Sequence, residues 1–272
     1  MTCFSDIILH FQMGIVCVRF GNHMKDKISI MVWEALQFLQ EISGERSSFI
    51  KNFNTIIREV FVRNIIISID DIRFSPLDLQ SLYILTPMFE NQVWEFLKPK
   101  KGEVFIDIGA HIGKYAVRVA RIVGEKGLVI AVEPNRSNYK GLVRNSTLNR
   151  LTNIITLNIA AWNADSQLKM FIAEKSGDHS IIMDYGKGYV EVEGKIMDRV
   201  LENLNVKHVE WIKIDTEAAE YEVINGLECT IKKYNPKIIG EFRDEKAIKL
   251  LKKLGYKTTS IPNLCPYFFC ER

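Results

Sequence analysis

Apolar and polar positions change their period near residue 100. Before it, apolar residues recur at helical spacing: Met31, Val32, Ala35, Leu36 and Leu39 mark one face of a helix from Ile28 to Ile42, ending before Gly44. A second helix is predicted from Ser47 or Ser48 through Ile56, Ile57, Val60 and Phe61. Arg63 to Phe74 reads as two short β-branched strands around a turn at Asp70-Asp71. Ser75-Pro76-Leu77-Asp78 predicts a helix start capped by Ser75 with Pro76 at the first helical position, and a last helix passes through Val93, Trp94 and Leu97.

After Gly102 strand and helix alternate, as in βαβ units. Strands are predicted at Val104-Phe105-Ile106, Gly127 to Val132, Ile154 to Leu157, Trp211 to Ile214 and from Ile238. Helices are predicted at Lys114 to Val123, Ser137 to Asn149, Glu217 to Leu227 and beyond, and Asp244 to Leu254. Gln167 to Ala173 and Tyr189 to Val192 alternate like an inserted hairpin, and Tyr256 to Ile261 with Tyr267 to Phe269 like a terminal one. The expected fold is therefore an α/β domain over 101–272, an open Rossmann-like sheet ending in an antiparallel hairpin, after a mainly helical N-terminal extension over 1–100.

Composition adds bounds rather than identity. With 47% hydrophobic and 25% charged residues among 272, the chain is neither disordered nor low in complexity. The uncharged stretch Ile7 to Val18 is too short and too polar to span a bilayer, and Asp6 precedes it where a signal peptide carries positive charge. A cytoplasmic protein is expected. Five scattered cysteines without a C-x-x-C pattern suggest neither a zinc site nor a disulfide scaffold, and no metal-ligand set stands out. Residues 1–100 carry ten basic and eleven acidic side chains, the remainder 26 and 22; the excess is too mild to signal nucleic acid.

Candidate chemistry follows from the first strand of the alternating region. It runs into Asp107-Ile108-Gly109-Ala110-His111-Ile112-Gly113. Gly109 permits a sharp turn and Gly113 a close approach of the next helix to the strand. The dinucleotide fingerprint G-x-G-x-x-G fails, because Asp107 stands in place of its first glycine. A carboxylate there suits a ligand ammonium, and amides at the helix start suit a ligand carboxylate. Glu133, followed by Pro134-Asn135, ends the next strand, where an acid can accept both ribose hydroxyls. An amino acid joined to a nucleoside answers all three needs, and S-adenosylmethionine is such a molecule.

The ordered motifs FIDIGAHIGKY, VIAVEPN, LVRNSTLN, NIAAWN, WIKIDTEAAEYEVINGL and Gly255-Tyr256 resemble the FkbM family of S-adenosylmethionine-dependent methyltransferases, from about Gly102 to Tyr256. The resemblance implies a class I methyltransferase sheet, with His111 at a position commonly Asn in the family and Ala160 and Ala161 near the adenine. Ala218 stands where the family usually has Gly; since Glu217 to Glu222 reads as the first turns of a helix, Ala is expected to be helical there.

Asp215 and Glu217, at the carboxyl end of the fourth strand, suit a general base or an oxygen-ligand Mg²⁺ site, and equally a helix cap. Lys213 points to the same side as Asp215. His179 lies in the insertion and is an alternative base. The resemblance implies a hydroxyl acceptor on a sugar, glycan or small metabolite. RNA methylation and a catalytically degenerate S-adenosylmethionine-binding or interaction protein are the alternatives.

Overall fold

A computed structural model describes residues 65–272. The helices expected within residues 28–61 lie outside the described residues. Two compact units emerge, Met1–Phe89 and Glu90–Arg272.

In the first unit, strands β1 (Ile67–Ile69) and β2 (Ile72–Phe74) form the expected hairpin in the register Ile67↔Phe74. Asp70 and Asp71 both take left-handed backbone (φ 50° and 61°), the mirror-image turn that matches strand twist. Helix α1 (Leu79–Leu85) starts later than expected. Its cap is Asp78, whose carboxylate accepts from the Ser81 amide at 2.7 Å, while the Ser81 hydroxyl accepts from the Asp78 amide at 2.9 Å. This reciprocal box satisfies two amides at once, which Ser75 alone does not.

The second unit opens with a single turn, α2 (Val93–Phe96), and then builds the sheet. Its elements are β3 (Val104–Ile108), α3 (Lys114–Val123), β4 (Leu128–Val132), α4 (Arg136–Leu148), β5 (Ile154–Leu157), β6 (Ala160–Trp162), β7 (Ser166–Phe171), β8 (Tyr189–Ile196), α5 (Met197–Asn203), β9 (Trp211–Ile214), α6 (Glu220–Asn225), α7 (Glu228–Tyr234), β10 (Lys237–Glu241), α8 (Glu245–Lys253), β11 (Lys257–Ser260) and β12 (Tyr267–Glu271). Seven strands order as β11-β12-β10-β9-β3-β4-β5, parallel from β10 to β5 and antiparallel at β12 and β11. This is the Rossmann-like sheet with its terminal hairpin. The chain winds outward from β3 in one direction and returns at β9 to wind in the other, so the switch point lies between β3 and β9.

Strands β3, β4 and β9 read as continuous apolar runs because helices cover both faces. Ile106, Ile108, Ile130, Val132, Ile212 and Ile214 pack towards one face, and Phe105, Val129, Ala131 and Trp211 towards the other. The polar exceptions, Asp107 and Lys213, are register partners on neighbouring strands.

Two expectations change. The insertion is a three-stranded sheet, β6-β8-β7, in which β6 joins in parallel, rather than a simple hairpin. The helix after β9 starts at Glu220, not Glu217, because Glu217 and Ala218 both adopt left-handed backbone (φ 54° and 80°). The expectation of a helical Ala218 is therefore wrong, and Gly226-Leu227 divides the following helix into α6 and α7.

Candidate active site

The loop after β3 is shaped by close approach. Gly109 has φ 76°, and a Cβ there would lie 1.8 Å from the Asp215 carbonyl oxygen, so the turn after β3 and the end of β9 can meet only at a glycine. Gly113, with φ 92°, caps α3; its Cβ would meet Leu142 at 2.8 Å, so the close packing is on helix α4 rather than on the strand. The amides of Gly109 and Ala110 both donate to Val132 O at 3.0 Å, and that of Gly113 to Ala110 O. His111 is left-handed (φ 49°), a conformation that His, like Asn, tolerates better than most residues. Its amide donates to Glu133 Oε2 at 2.8 Å. The loop is thus tied to the end of β4 by its own amides.

Glu133 is buried, and its other oxygen accepts from the Asn135 amide at 2.8 Å. Asn135 in turn caps α4, accepting from the amides of Ser137 and Asn138, and Pro134 is half-buried. Burial pushes the Glu133 carboxyl up to about 7, against the pull of the Asn135 and His111 amides and of the Asn138 side chain. Each carboxylate oxygen keeps further acceptor capacity. Beside it, Asn138 Oδ1 is buried without a hydrogen bond, its amide nitrogen being committed to Ser176 O at 2.8 Å. The Glu133 carboxylate and Asn138 Oδ1 are acceptors that suit a vicinal diol, such as the ribose of S-adenosylmethionine. Ser176 closes over the corner, its hydroxyl 3.1 Å from His111 Nε2. Ala160 and Ala161 are buried on β6; Ala161 joins the main core and Ala160 packs with Met170 and Val192.

Asp107 is 0% exposed, and the ammonium it meets belongs to the chain itself. Lys213 Nζ lies 3.6 Å from Asp107 and 3.3 Å from Asp215, and donates to Gly109 O at 3.2 Å. One lysine thus links the glycine loop, β3 and the end of β9. Burial raises the Asp107 carboxyl above its usual range, with Lys213 opposing it. Burial would also raise Asp215, but Lys213 and the Tyr267 hydroxyl, 2.8 Å away, outweigh it and hold Asp215 below its usual value. Burial acts to lower Lys213, yet Asp215 and Asp107 leave its ammonium firmly charged.

Asp215 is 21% exposed, so this ionised carboxylate opens at the switch point. Beside it, Glu217 pairs with Arg243 Nη1 at 2.7 Å, and Glu241 with Arg243 Nε at 2.9 Å. Burial and then Asp215 push Glu217 up to about 8. Oxygens of Asp215, Glu217 and Glu241 lie within 4.8 Å of one another, but the guanidinium already serves as cation for two of the three. The insertion reaches this cluster through Ser180, whose hydroxyl donates to Glu217 O at 2.6 Å. His179 is turned into its own loop: Nδ1 accepts from the Ala173 amide at 3.0 Å. That bond makes Nε2 the protonated nitrogen of the neutral ring and leaves no lone pair for base work.

Sequence reasoning passed over Glu90, Tyr115, Glu241, Arg243 and Tyr267. Arg243 stands just beyond a predicted strand's carboxyl end and could have been singled out on that ground. Glu90 and Tyr267 carry no local signal.

The Methyltransferase FkbM domain matches residues 107–258, more than half of the chain, from Asp107 near the end of β3 through β9 and β10. The chain belongs to the FkbM methyltransferase family. S-adenosylmethionine is the methyl donor of that family. A second domain, Protein-L-isoaspartate(D-aspartate) O-methyltransferase (PCMT), matches residues 36–170. A tRNA(Phe) (4-demethylwyosine(37)-C(7)) aminocarboxypropyltransferase of Methanocaldococcus jannaschii is 31% identical over 153 residues, 50% of this chain and 56% of that enzyme. The crystal structure of Methyltransferase FkbM from Methylobacillus flagellatus KT shares the fold at 13% identity, with TM-score 0.50 over 98% of this chain and 60% of that one. This FkbM chain thus spans little more than half the length of either protein. No helix among the described residues is long and apolar enough to cross a membrane.

Proposed function

We propose that this FkbM methyltransferase, acting in the cytoplasm, methylates a hydroxyl oxygen of a sugar, glycan or other small metabolite, with Asp215 as general base. When bound, S-adenosylmethionine supplies a sulfonium methyl that a nucleophilic oxygen displaces directly, so the protein contributes positioning and proton removal. The observation that carries the reading is Asp215: a partly open carboxylate at the switch point, kept ionised by Lys213 and Tyr267. Its oxygen takes the hydroxyl proton as the acceptor attacks, a contribution of about 10²–10⁴-fold for a general base. Glu133 and Asn138 accept from the ribose hydroxyls; Gly109, Ala110, His111 and Gly113 form the loop under the cofactor, with Pro134, Asn135, Ala160 and Ala161 beside the nucleoside. Asp107 acts through Lys213 and orients the loop. Glu217, anchored by Arg243, borders the acceptor.

Transfer to RNA is the second reading. The 31% identity to an enzyme whose name places it on tRNA favours it. Against it stand the mild basic excess and the run Asp215-Thr216-Glu217-Ala218, which lacks the N-P-P-Y-type loop that holds a planar amine. The test is transfer of labelled methyl from S-adenosylmethionine to a panel of hydroxylated sugars and, in parallel, to tRNA. The expected outcome is label on a sugar oxygen, with Asp215→Asn lowering turnover about 10²–10⁴-fold at unchanged cofactor affinity. Label on tRNA alone selects the second reading, and undiminished turnover in Asp215→Asn removes the base assignment.

A further inference from the structure

A hydroxyl has one hydrogen, yet Tyr267 faces two carboxyl oxygens at hydrogen-bond distance. Its oxygen lies 2.8 Å from Asp215 Oδ2 and 2.8 Å from Glu90 Oε1. If Tyr267 donates to one carboxylate, its lone pairs face the other, and the second contact is attractive only when that carboxyl carries a proton. Glu90 is itself an unusual residue: it holds left-handed backbone (φ 52°) while its side chain is only 9% exposed. Such backbone persists where surrounding contacts over-determine it. Those contacts are the Tyr115 hydroxyl, which donates to Glu90 Oε2 at 2.7 Å, the Lys114 ammonium at 3.8 Å, and Tyr267.

The charge balance points the same way. The inner cluster holds three carboxyl groups, Glu90, Asp107 and Asp215, against two amines, Lys114 and Lys213. Outside it, Arg243 is shared between Glu217 and Glu241, and Arg118 adds to the field at Lys114. Even with both amines charged, three ionised carboxyls would leave the inner set one net negative charge among buried side chains, and one proton removes it; Glu90 and Asp215 are the two carboxyls that face a hydroxyl able to relay that proton.

We propose that Glu90 and Asp215 share a single proton through Tyr267. In one arrangement Glu90 carries it and donates to Tyr267, which donates to Asp215; in the other both hydrogen bonds run the opposite way. Passing between them breaks two O–H bonds and forms two, with no change in net charge. Lys213, 3.3 Å from Asp215, is closer than Lys114 is to Glu90 and selects the first arrangement, which leaves Asp215 as the ionised partner. Glu90 and Tyr267 are then positioning residues for the methyl-transfer base. Their role in turnover rests on the base assignment to Asp215; the shared proton itself does not.

Infrared difference spectroscopy of the intact chain at neutral pH tests the proton directly and needs no acceptor. Glu90→Gln keeps the shape and supplies an amide N–H to Tyr267, so the wild-type-minus-variant spectrum is expected to show the loss of one carboxylic-acid C=O band that shifts in D₂O. In Tyr267→Phe the same band must change frequency, because its hydrogen-bond partner is gone. Loss of a carboxylate band with no carboxylic-acid band overturns the proposal, as does a band indifferent to Tyr267→Phe. Both hold even if the chain methylates nothing offered to it.

Discussion

Replacing Ala218 with glycine should stabilise the protein, although glycine is ordinarily the poorer residue next to a helix. The reason is the backbone at 218, where φ is 80°. A side chain with a Cβ pays about 1–2 kcal/mol in left-handed backbone, and Ala218→Gly removes that cost. Glycine returns about 0.5–1 kcal/mol through the greater freedom of the unfolded chain. The Ala218 amide donates to Glu220 Oε1 at 2.9 Å, a main-chain bond that glycine keeps. The neighbouring strain at Glu217, pinned by Arg243 and Ser180, is untouched. A net gain of about 0.5–1 kcal/mol follows, which in a chain of this size raises Tm by about 1–2 °C. Scanning calorimetry of the two proteins measures it. A fall in Tm matching the loss of about 1 kcal/mol for Ala to Gly inside a helix would refute the left-handed assignment and restore a helical Ala218.

Other outcomes follow from the same geometry. Gly109→Ala should cost at least about 3 kcal/mol and abolish cofactor binding, because its Cβ would strike the Asp215 carbonyl 1.8 Å away in left-handed backbone; chemical denaturation and calorimetry with S-adenosylmethionine check both. Glu133, pushed up to about 7, is protonated in much of the folded protein below that pH but ionised when unfolded above its ordinary 4.5, so its contribution to stability should fall as pH rises from 4.5 to 7. Ribose hydroxyls favour the ionised form, so binding of S-adenosylmethionine near pH 6 should release a proton and tighten as pH rises; titration in buffers of different ionisation enthalpy reads that proton, and its absence separates Glu133 from the ribose.

Much of this was legible along the chain. Strands buried on both faces write themselves as short apolar runs, and a run that stops at an acid or a glycine marks the carboxyl end where a ligand can sit. That is why Gly109, Glu133 and Asp215 could be placed at the carboxyl ends of their strands from their neighbours alone, and why α3 and β9 fall where the pattern placed them. Asp107, by contrast, read as the partner of a ligand ammonium, is buried within β3 against Lys213. Local rules misled where a distant contact outweighs propensity. Ala218 is a good helix former, but Glu220 turns back to its amide, and Arg243 and Ser180 hold Glu217, so both residues take the left-handed form. Strand β6 is three residues long and exists through pairing with β8, far along the chain in the register Ala160↔Gly194.

The buried polar cluster was out of reach for a different reason. That Lys213 and Asp215 share a side follows from strand alternation. That Lys213 also meets Asp107 depends on β3 and β9 lying side by side in one register. Tyr267 reaches Asp215 because β12 pairs with β10, and Glu90 arrives from before the first strand of the sheet. Periodicity along a chain reports which faces are buried, since burial is a property of each residue and its near neighbours. Which polar groups meet inside is settled by strand order and register, because a buried donor or acceptor must find its partner wherever the fold brings one within 3 Å or so.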